Sequence, residues 1–281
     1  MGYQRLANFL NSSAVFPSLV CLTILGAFFL EVGNAAPIEN RTETRLEPRP
    51  LRIHVMQANL TSKTLEPVVA IGNDPDADGP AEAELTNPLK LAEREGLIAA
   101  INANAWANLP ESPDAEVPKF YAAGGSSNIV GWAVRNGVQR SAPQRSAWSF
   151  WIDTKGRGHI DVLGDPVPAK MAVAGFSGLV RNGIILPKEG GAIHPRTALG
   201  IDAAGRMLTF VVVDGRKPGT SEGMTLQELA QLMKELGCQD ALNLDGGGSS
   251  IMIRDGNILN SPCDMTGPRP VPVMIGVKLR R

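Results

Sequence analysis

The sequence predicts an α+β fold, β-rich, in which mixed sheets built from successive hairpins are flanked by a few helices. Three observations predict it. Asn136-Gly137, Lys155-Gly156, Asn182-Gly183, Ala204-Gly205 and Asp255-Gly256 each sit between apolar or β-branched runs. Asn-Gly and Asp-Gly are strong short hairpin signals, because a two-residue type I′ turn needs positive φ at both central positions. Arg52 to Leu60 alternates apolar and polar residues, the period of a half-buried strand. One helix interrupts the hairpins: Thr225-Leu226-Gln227-Glu228 is a capping box, and Leu226, Leu229, Ala230, Met233 and Leu236 share one face before Gly237 ends it.

The chain has 281 residues, 43% of them hydrophobic, enough for one large domain or two small ones. At the N-terminus, Arg5 precedes an apolar run from Ala14 to Leu30, followed by the small residues Gly33-Asn34-Ala35-Ala36. Residues 1–36 therefore read as a signal peptide cleaved near Ala35 or Ala36, which predicts a secreted, periplasmic or cell-surface protein. The alternative is an uncleaved membrane anchor, short against the roughly 20 apolar residues a span needs. Residues 37–50, rich in Pro, Arg and Glu without an apolar period, read as a disordered linker before a folded domain at 51–281.

Within that domain Glu66 to Gly72 reads as a second strand, and Asn87 as the N-cap of a short helix with Pro88 at its first position and Gly96 at its end. Leu97 to Asn104 reads as a buried strand whose end places Asn102 and Asn104 on one face. Trp148 to Ile152 and Leu208 to Val213 read as core strands, and Val271 to Leu279 as the last one.

Several function classes drop out. A formal net charge of -1, with no Lys/Arg cluster interleaved with aromatics, argues against nucleic acid as a partner. Two cysteines outside the leader, Cys238 and Cys263, and three scattered histidines make no zinc spacing, so no metal or cofactor is expected. Whether the two cysteines pair stays open. Asp74-Pro75-Asp76-Ala77-Asp78-Gly79 opens like a calcium loop, but Leu85 stands where a bidentate Glu is required, and an acidic turn is the plainer reading. Gly175 to Leu179 fails the G-x-S-x-G elbow at its last position. Gly246 to Ser249 lacks the Lys-Ser/Thr ending of a P-loop, and no G-x-G-x-x-G opens a βαβ unit.

Four polar constellations carry candidate chemistry. Asp245 is followed by Gly246, Gly247, Gly248 and Ser249, between two apolar runs. Glycines in series let backbone N–H groups form an anion-binding nest, although a tight turn is the simpler alternative. The others are His194-Pro195-Arg196-Thr197, Asp214-Gly215-Arg216 and Ser221-Glu222-Gly223-Met224. A hairpin turning at Ala204-Gly205 puts Arg196 and Asp214 at one open end. Arg196 and Arg216 beside a nest suit an anionic substrate, since guanidinium binds phosphate bidentately. The plainer readings are an Arg196–Asp214 structural ion pair, a turn-bonding His194, and Asn102 and Asn104 capping a strand end instead of binding a polyol.

The same residues carry a family resemblance. His194 to Gly200, Val213-Asp214-Gly215-Arg216, Gly223-Met224-Thr225-Leu226 and Asn243 to Ser250, in this order, resemble the phosphodiester glycosidase domain. Ala174 to Gly183 and Arg269-Pro270-Val271-Pro272 resemble two further elements of it. Where that family has Asn-Gly-Gly-aromatic, this chain has Asn102-Ala103-Asn104-Ala105-Trp106. The resemblance implies hydrolysis of a sugar-1-phosphodiester to free sugar and a phosphomonoester. Such a leaving group needs less general-acid help than an ordinary glycoside, so charge stabilisation and one carboxylate are the main requirements.

The roles implied are Asp245 as catalytic carboxylate, Asp214 or Glu222 as a second acid/base group, Gly246 to Ser249 with Arg196 and Arg216 on the phosphate, and Asn102 and Thr197 on sugar hydroxyls. The expected partner is a sugar-phosphate or phosphodiester-linked glycan. Two competing readings are a catalytically inactive carbohydrate- or anion-binding domain of the same fold and, through Asp74, Asp76 and Asp78, a calcium-dependent surface protein.

Overall fold

The computed structural model describes residues 37–77, 79–110 and 114–280. The signal peptide expected at 1–36 and Asp78 of the acidic turn lie outside them. The first strand, β1 (Ile38–Arg45), runs antiparallel to β2 (Leu51–Asn59), with Ile38 opposite Ala58 and Arg45 opposite Leu51. This corrects the disordered linker expected over 37–50. The segment lacks an apolar period because it is an edge strand: β2 supplies its ladder bonds, and a polar edge also discourages pairing with other chains.

After β3 (Leu65–Ile71) and β4 (Ala83–Glu84) comes α1 (Pro88–Glu95). The Asn87 side chain accepts the N–H groups of Leu89 and Lys90 at 3.0 and 3.4 Å, and Gly96 ends the helix in the left-handed region. Then follow β5 (Leu97–Asn102), β6 (Trp106–Asn108), β7 (Ser126–Ile129), β8 (Ala133–Arg135), β9 (Val138–Ser141), β10 (Trp148–Ile152) and β11 (Gly158–Val162). The chain continues through β12 (Met171–Gly175), β13 (Ser177–Arg181), β14 (Ile184–Ile185), β15 (Arg196–Ile201) and β16 (Met207–Val213). It ends with α2 (Leu226–Glu235), β17 (Asp240–Asn243), β18 (Met252–Arg254), β19 (Asn257–Ile258) and β20 (Val273–Leu279).

Each expected turn dipeptide lies at a hairpin tip, joining β8 to β9, β10 to β11, β13 to β14, β15 to β16 and β18 to β19. Asn136, Asn182 and Asp255 all have positive φ, as do the glycines after them, the signature of a type I′ turn.

The strands form a seven-stranded sheet in the order β1-β2-β16-β15-β17-β13-β14, five-stranded sheets β11-β10-β12-β8-β9 and β19-β18-β5-β20-β3, and a small sheet β4-β7-β6. Every pairing among the described residues is antiparallel. The fold is therefore strand-rich, as expected, but its sheets are antiparallel and not mixed. Tight hairpins join neighbours only in that sense, and a parallel pair would need long crossovers.

The inner faces of the three larger sheets share one core, which includes Met56, Phe210 and Leu242 from the first, Phe150 and Val173 from the second, and Ile101 and Ile275 from the third. Helix α2 covers the outer face of the seven-stranded sheet with Leu229, Ala230 and Met233 against Val55, Ala198 and Val211. The reciprocal bonds between Thr225 and Glu228 cap it, a box that stabilises a helix start by about 1 kcal/mol. Helix α1 covers the sheet holding β5 and β20 through Leu91 and Ala92. No helix among the described residues is long and apolar enough to cross a membrane.

Candidate functional site

The constellations named above meet at one end of the seven-stranded sheet. In the β15–β16 hairpin Arg196 lies opposite Val213, so Asp214 emerges beside it. An isolated bridge joins His194 to Met224, bringing the segment before α2 alongside. The strand β17 delivers Asp245, whose N–H donates to Ala103 O at 3.0 Å, while Gly247 N–H donates to Pro195 O at 2.9 Å. The segment 260–269 closes the ring, with Ser261 N–H donating to the Asp214 carboxylate at 2.8 Å.

Asp245 is the most perturbed acid here. Burial pushes its carboxyl up to about 6, against the lowering pull of the Ser249 hydroxyl, the Arg269 charge and the Gly246 N–H. Arg269 in turn lies 3.4 Å from Ser249 Oγ and forks onto Asp264 at 2.8 and 3.1 Å. A carboxylate whose pKa sits near 6 is poised to exchange a proton near neutrality.

The glycine run works differently from a simple nest. Gly247 N–H goes to Pro195 O, Ser249 N–H to Gly246 O at 3.2 Å and Ser250 N–H to Gly247 O at 3.2 Å. Most donors expected to face an anion are thus engaged within the protein; the Gly248 N–H has no protein acceptor among the described residues. What the glycines permit is close approach. A Cβ on Gly248 would lie 2.0 Å from Arg269 Nη2 and 2.3 Å from Asp264 Oδ1, and one on Gly247, at φ +61°, would lie 3.1 Å from Arg216 Nη2.

The structural ion pair between Arg196 and Asp214 does not form. Arg196 donates from Nε to Met224 O at 2.8 Å and from Nη2 to Ala192 O at 2.7 Å, and burial lowers its pKa from the usual guanidinium value. Arg216 is exposed, and the one side-chain hydrogen-bond partner of its guanidinium among the described residues is Cys263 Sγ, at 3.8 Å. Neither guanidinium has a carboxylate partner among the described residues. His194 stands close enough to both that their charges, together with burial as the leading cause, hold its pKa below the usual imidazole value.

Asp214 is 2% exposed. One carboxylate oxygen is 3.1 Å from His54 Nε2, and the other accepts from Ser261 N–H and, at 3.4 Å, from Asn260 Nδ2. His54, itself buried, has Nδ1 3.1 Å from Thr42 Oγ1 on β1. The Glu222 side chain is half-buried and has no hydrogen-bond or ion-pair partner among the described residues, while its backbone carbonyl accepts from Arg216 N–H at 3.2 Å.

Asn102 and Thr197 are buried at the same end with their polar atoms engaged. Asn102 Nδ2 donates to Asp245 O at 2.6 Å, and its Oδ1 accepts from Thr197 Oγ1 at 2.9 Å and from Ile251 N–H at 3.1 Å. Asn104 donates to the carbonyls of Val130 and Trp132. Residues not singled out as site candidates in the sequence are His54 and Tyr121, which meet Asp214 and Arg269 far off along the chain, and Asn260 and Asp264, which lie in the segment that closes the ring. Arg269 had a signal only in its Arg-Pro-Val-Pro context.

Cys238 and Cys263 are both free thiols. Cys238 is buried under Gly200 and Met233, where desolvation pushes its pKa up to about 11. In the acidic turn Asp74 pairs with Arg140 at 2.6 Å and Asp76 accepts from Ala81 N–H at 3.0 Å, so both carboxylates have protein partners.

Comparison with known proteins connects this geometry to a family. The family model for phosphodiester glycosidases matches residues 95–278, well over half of the chain. The chain belongs to the phosphodiester glycosidase family. The match spans Asn102, Arg196, Asp214, Glu222, Asp245 and Arg269, and leaves β1 to β3 outside. Mouse N-acetylglucosamine-1-phosphodiester alpha-N-acetylglucosaminidase is 31% identical over 119 residues, 36% of this chain and 22% of that protein. A prophage-derived protein of Bacillus subtilis is 27% identical over 197 residues, 63% of this chain and 27% of its own length. Both matches thus span about a quarter of the relative. The solved catalytic domain of the zebrafish N-acetylglucosaminidase, auto-inhibited by its pro-peptide, superposes with a TM-score of 0.64 at 18% identity, over 88% of this chain and 85% of that one. At that identity the likeness shows a shared fold.

Proposed function

We propose that this phosphodiester glycosidase domain hydrolyses the bond between a sugar's anomeric carbon and a phosphodiester oxygen, and that residues 1–36 direct its export. One observation carries the activity: Arg196 and Arg216, whose guanidinium groups have no carboxylate partner among the described residues, pack against the glycines that follow Asp245, a partly buried carboxylate with a pKa near 6. Unneutralised cations beside a reactive carboxylate fit a substrate that brings its own negative charge.

In this reading Arg196 and Arg216 hold the phosphate, aided by His194 and the Gly248 N–H. Asp245 acts as base or nucleophile at the anomeric carbon. The C–O bond breaks with its electron pair moving to the phosphate oxygen, which the guanidinium charges stabilise; water supplies the hydroxyl of the free sugar. Glu222, with its side chain unengaged, is the second acid/base group. Asp214 is assigned a positioning role, because its carboxylate oxygens are turned to His54, Asn260 and Ser261. Asn102 and Thr197 hold the Asp245 segment in place instead of binding sugar hydroxyls.

The test is incubation of the 37–281 protein with UDP-N-acetylglucosamine and a panel of sugar-1-phosphodiesters, following free sugar. Release of sugar supports the reading. Tight binding without turnover across the panel would instead establish the inactive carbohydrate- or anion-binding domain.

A further inference from the structure

Asp214 has one ionisable partner among the described residues, a histidine of β2. The His54 side chain is fully buried, and its Nε2 lies 3.1 Å from Asp214 Oδ2. An ionised carboxylate only accepts, so Nε2 carries the proton that joins the two. On the other side of the ring, Nδ1 lies 3.1 Å from Thr42 Oγ1, a hydroxyl able to donate to it and so fix the ring's orientation. Thr42 and His54 stand directly opposite each other across β1 and β2. The edge strand thus supplies more than ladder bonds.

Neutralising a buried carboxylate would be reason enough for a histidine here. The remaining contacts go further, because they tie Asp214 to the segment that closes the ring. Its second oxygen takes the Ser261 N–H at 2.8 Å and the Asn260 amide at 3.4 Å. Asn260 also donates to Ser250 O at 3.0 Å and accepts the Met252 N–H at 2.8 Å, and the Ser250 N–H returns to Gly247 O at 3.2 Å. Where the chain enters β2, Arg52 O accepts the Asp214 N–H and Pro50 O accepts the Glu222 N–H, both at 3.0 Å. Ser221 Oγ accepts the Arg52 N–H at 2.9 Å and donates to Asp214 O at 2.7 Å. One strand therefore holds both acid-bearing segments.

We propose that His54, oriented by Thr42, is a positioning residue of the hydrolytic site: by holding Asp214 it fixes the 260–269 segment against the glycines that follow Asp245. This rests on the hydrolytic reading above. It adds that the hairpin of β1 and β2, outside the 95–278 stretch matched by the family model, is part of the working site. Without the imidazole, one Asp214 oxygen is left unmet inside the core and turns toward other donors. The Ser261 and Asn260 bonds then shift, and with them the run that presents Asp245. Small displacements of a reacting group are costly in rate.

The test compares kcat and melting temperature of wild type, His54→Ala and His54→Gln on a sugar-1-phosphodiester that the wild type turns over. Glutamine can place an amide N–H where the Nε2–H stood. At a temperature where all three are folded, His54→Ala should lose at least about tenfold in kcat, and His54→Gln should recover most of that loss. If His54→Ala does not fold, Thr42→Val, at an exposed position of the edge strand, takes its place: it should lower kcat, and Thr42→Ser should restore it. A folded His54→Ala or Thr42→Val with wild-type kcat, or a loss that the conservative variant does not relieve, overturns the positioning role and leaves the hydrolytic reading intact. Wild-type protein that releases no sugar from any sugar-1-phosphodiester overturns the hydrolytic reading, and this role with it.

Discussion

The side-chain amide of Asn102 donates to the backbone carbonyl of Asp245 over 2.6 Å. Its oxygen accepts from Thr197 on β15 and from Ile251 just beyond the glycine run, so one buried side chain ties two sheets to the segment that presents the carboxylate. Removing it leaves buried donors and an acceptor without partners, at about 1–3 kcal/mol for each group left unmet. Asn102→Ala should therefore lower the melting temperature and cut kcat by at least about tenfold, because small shifts of a reacting group are costly. Thermal melts alongside kinetics would check this; a fully active and equally stable variant would count against it.

Asp214 separates a positioning role from a catalytic one. Asp214→Ala strands the buried His54 and the Ser261 N–H, and should cost about 1–3 kcal/mol for each group left unmet. Asp214→Asn keeps an acceptor for Ser261 and should retain more than about a tenth of kcat, whereas loss of a catalytic acid or base costs about 100-fold or more. Steady-state rates of a folded Asp214→Asn protein decide between them.

His194 should report phosphate binding. Burial and the charges of Arg196 and Arg216 disfavour its imidazolium form. An anion placed on those guanidinium groups offsets their repulsion and favours that form, so inorganic phosphate should raise the His194 pKa. An NMR titration of His194 with and without phosphate reads this directly. A titration unmoved by saturating phosphate would place the anion elsewhere.

Gly248 is required by space. A side chain there meets Arg269 and Asp264 within 2.3 Å, so Gly248→Ala must break their pairing or shift the run. A destabilisation of about 1–3 kcal/mol is expected, as for other overpacked sites. Chemical denaturation of the variant measures it, and an unchanged midpoint would contradict the contact.

How much of this was readable in the sequence depended on range. Hairpins such as Asn136-Gly137 and Asn182-Gly183, and the capped helix at Thr225, are set by residues a few positions apart, and they stand where expected. The meeting of Arg196 with Asp214 at one hairpin end was also legible, since register follows from the turn. Their partners were not, because Asp214 turns to His54, 160 residues away, and Asn102 reaches Asp245, 143 residues away. Nothing local in β1 announced a strand, since its ladder bonds come from β2. Tyr121 sits in an irregular segment whose position depends on Asn108 and Arg269.

The central claim is that Asp245 performs the chemistry in its ionised form. Its pKa near 6 puts the acid limb of kcat/KM there, with activity falling about tenfold per pH unit below it. Burial that raises a carboxyl pKa favours the protonated form, so Asp245 contributes stability at low pH that is lost as pH rises from about 4 to about 6. A neutral amide at this position therefore costs no stability at neutral pH. The deciding measurement is kcat/KM of Asp245→Asn against wild type on a sugar-1-phosphodiester, with melting temperatures in parallel. The account predicts a loss of about 1000-fold in a protein that melts no lower than wild type; a folded variant that keeps full turnover would contradict it.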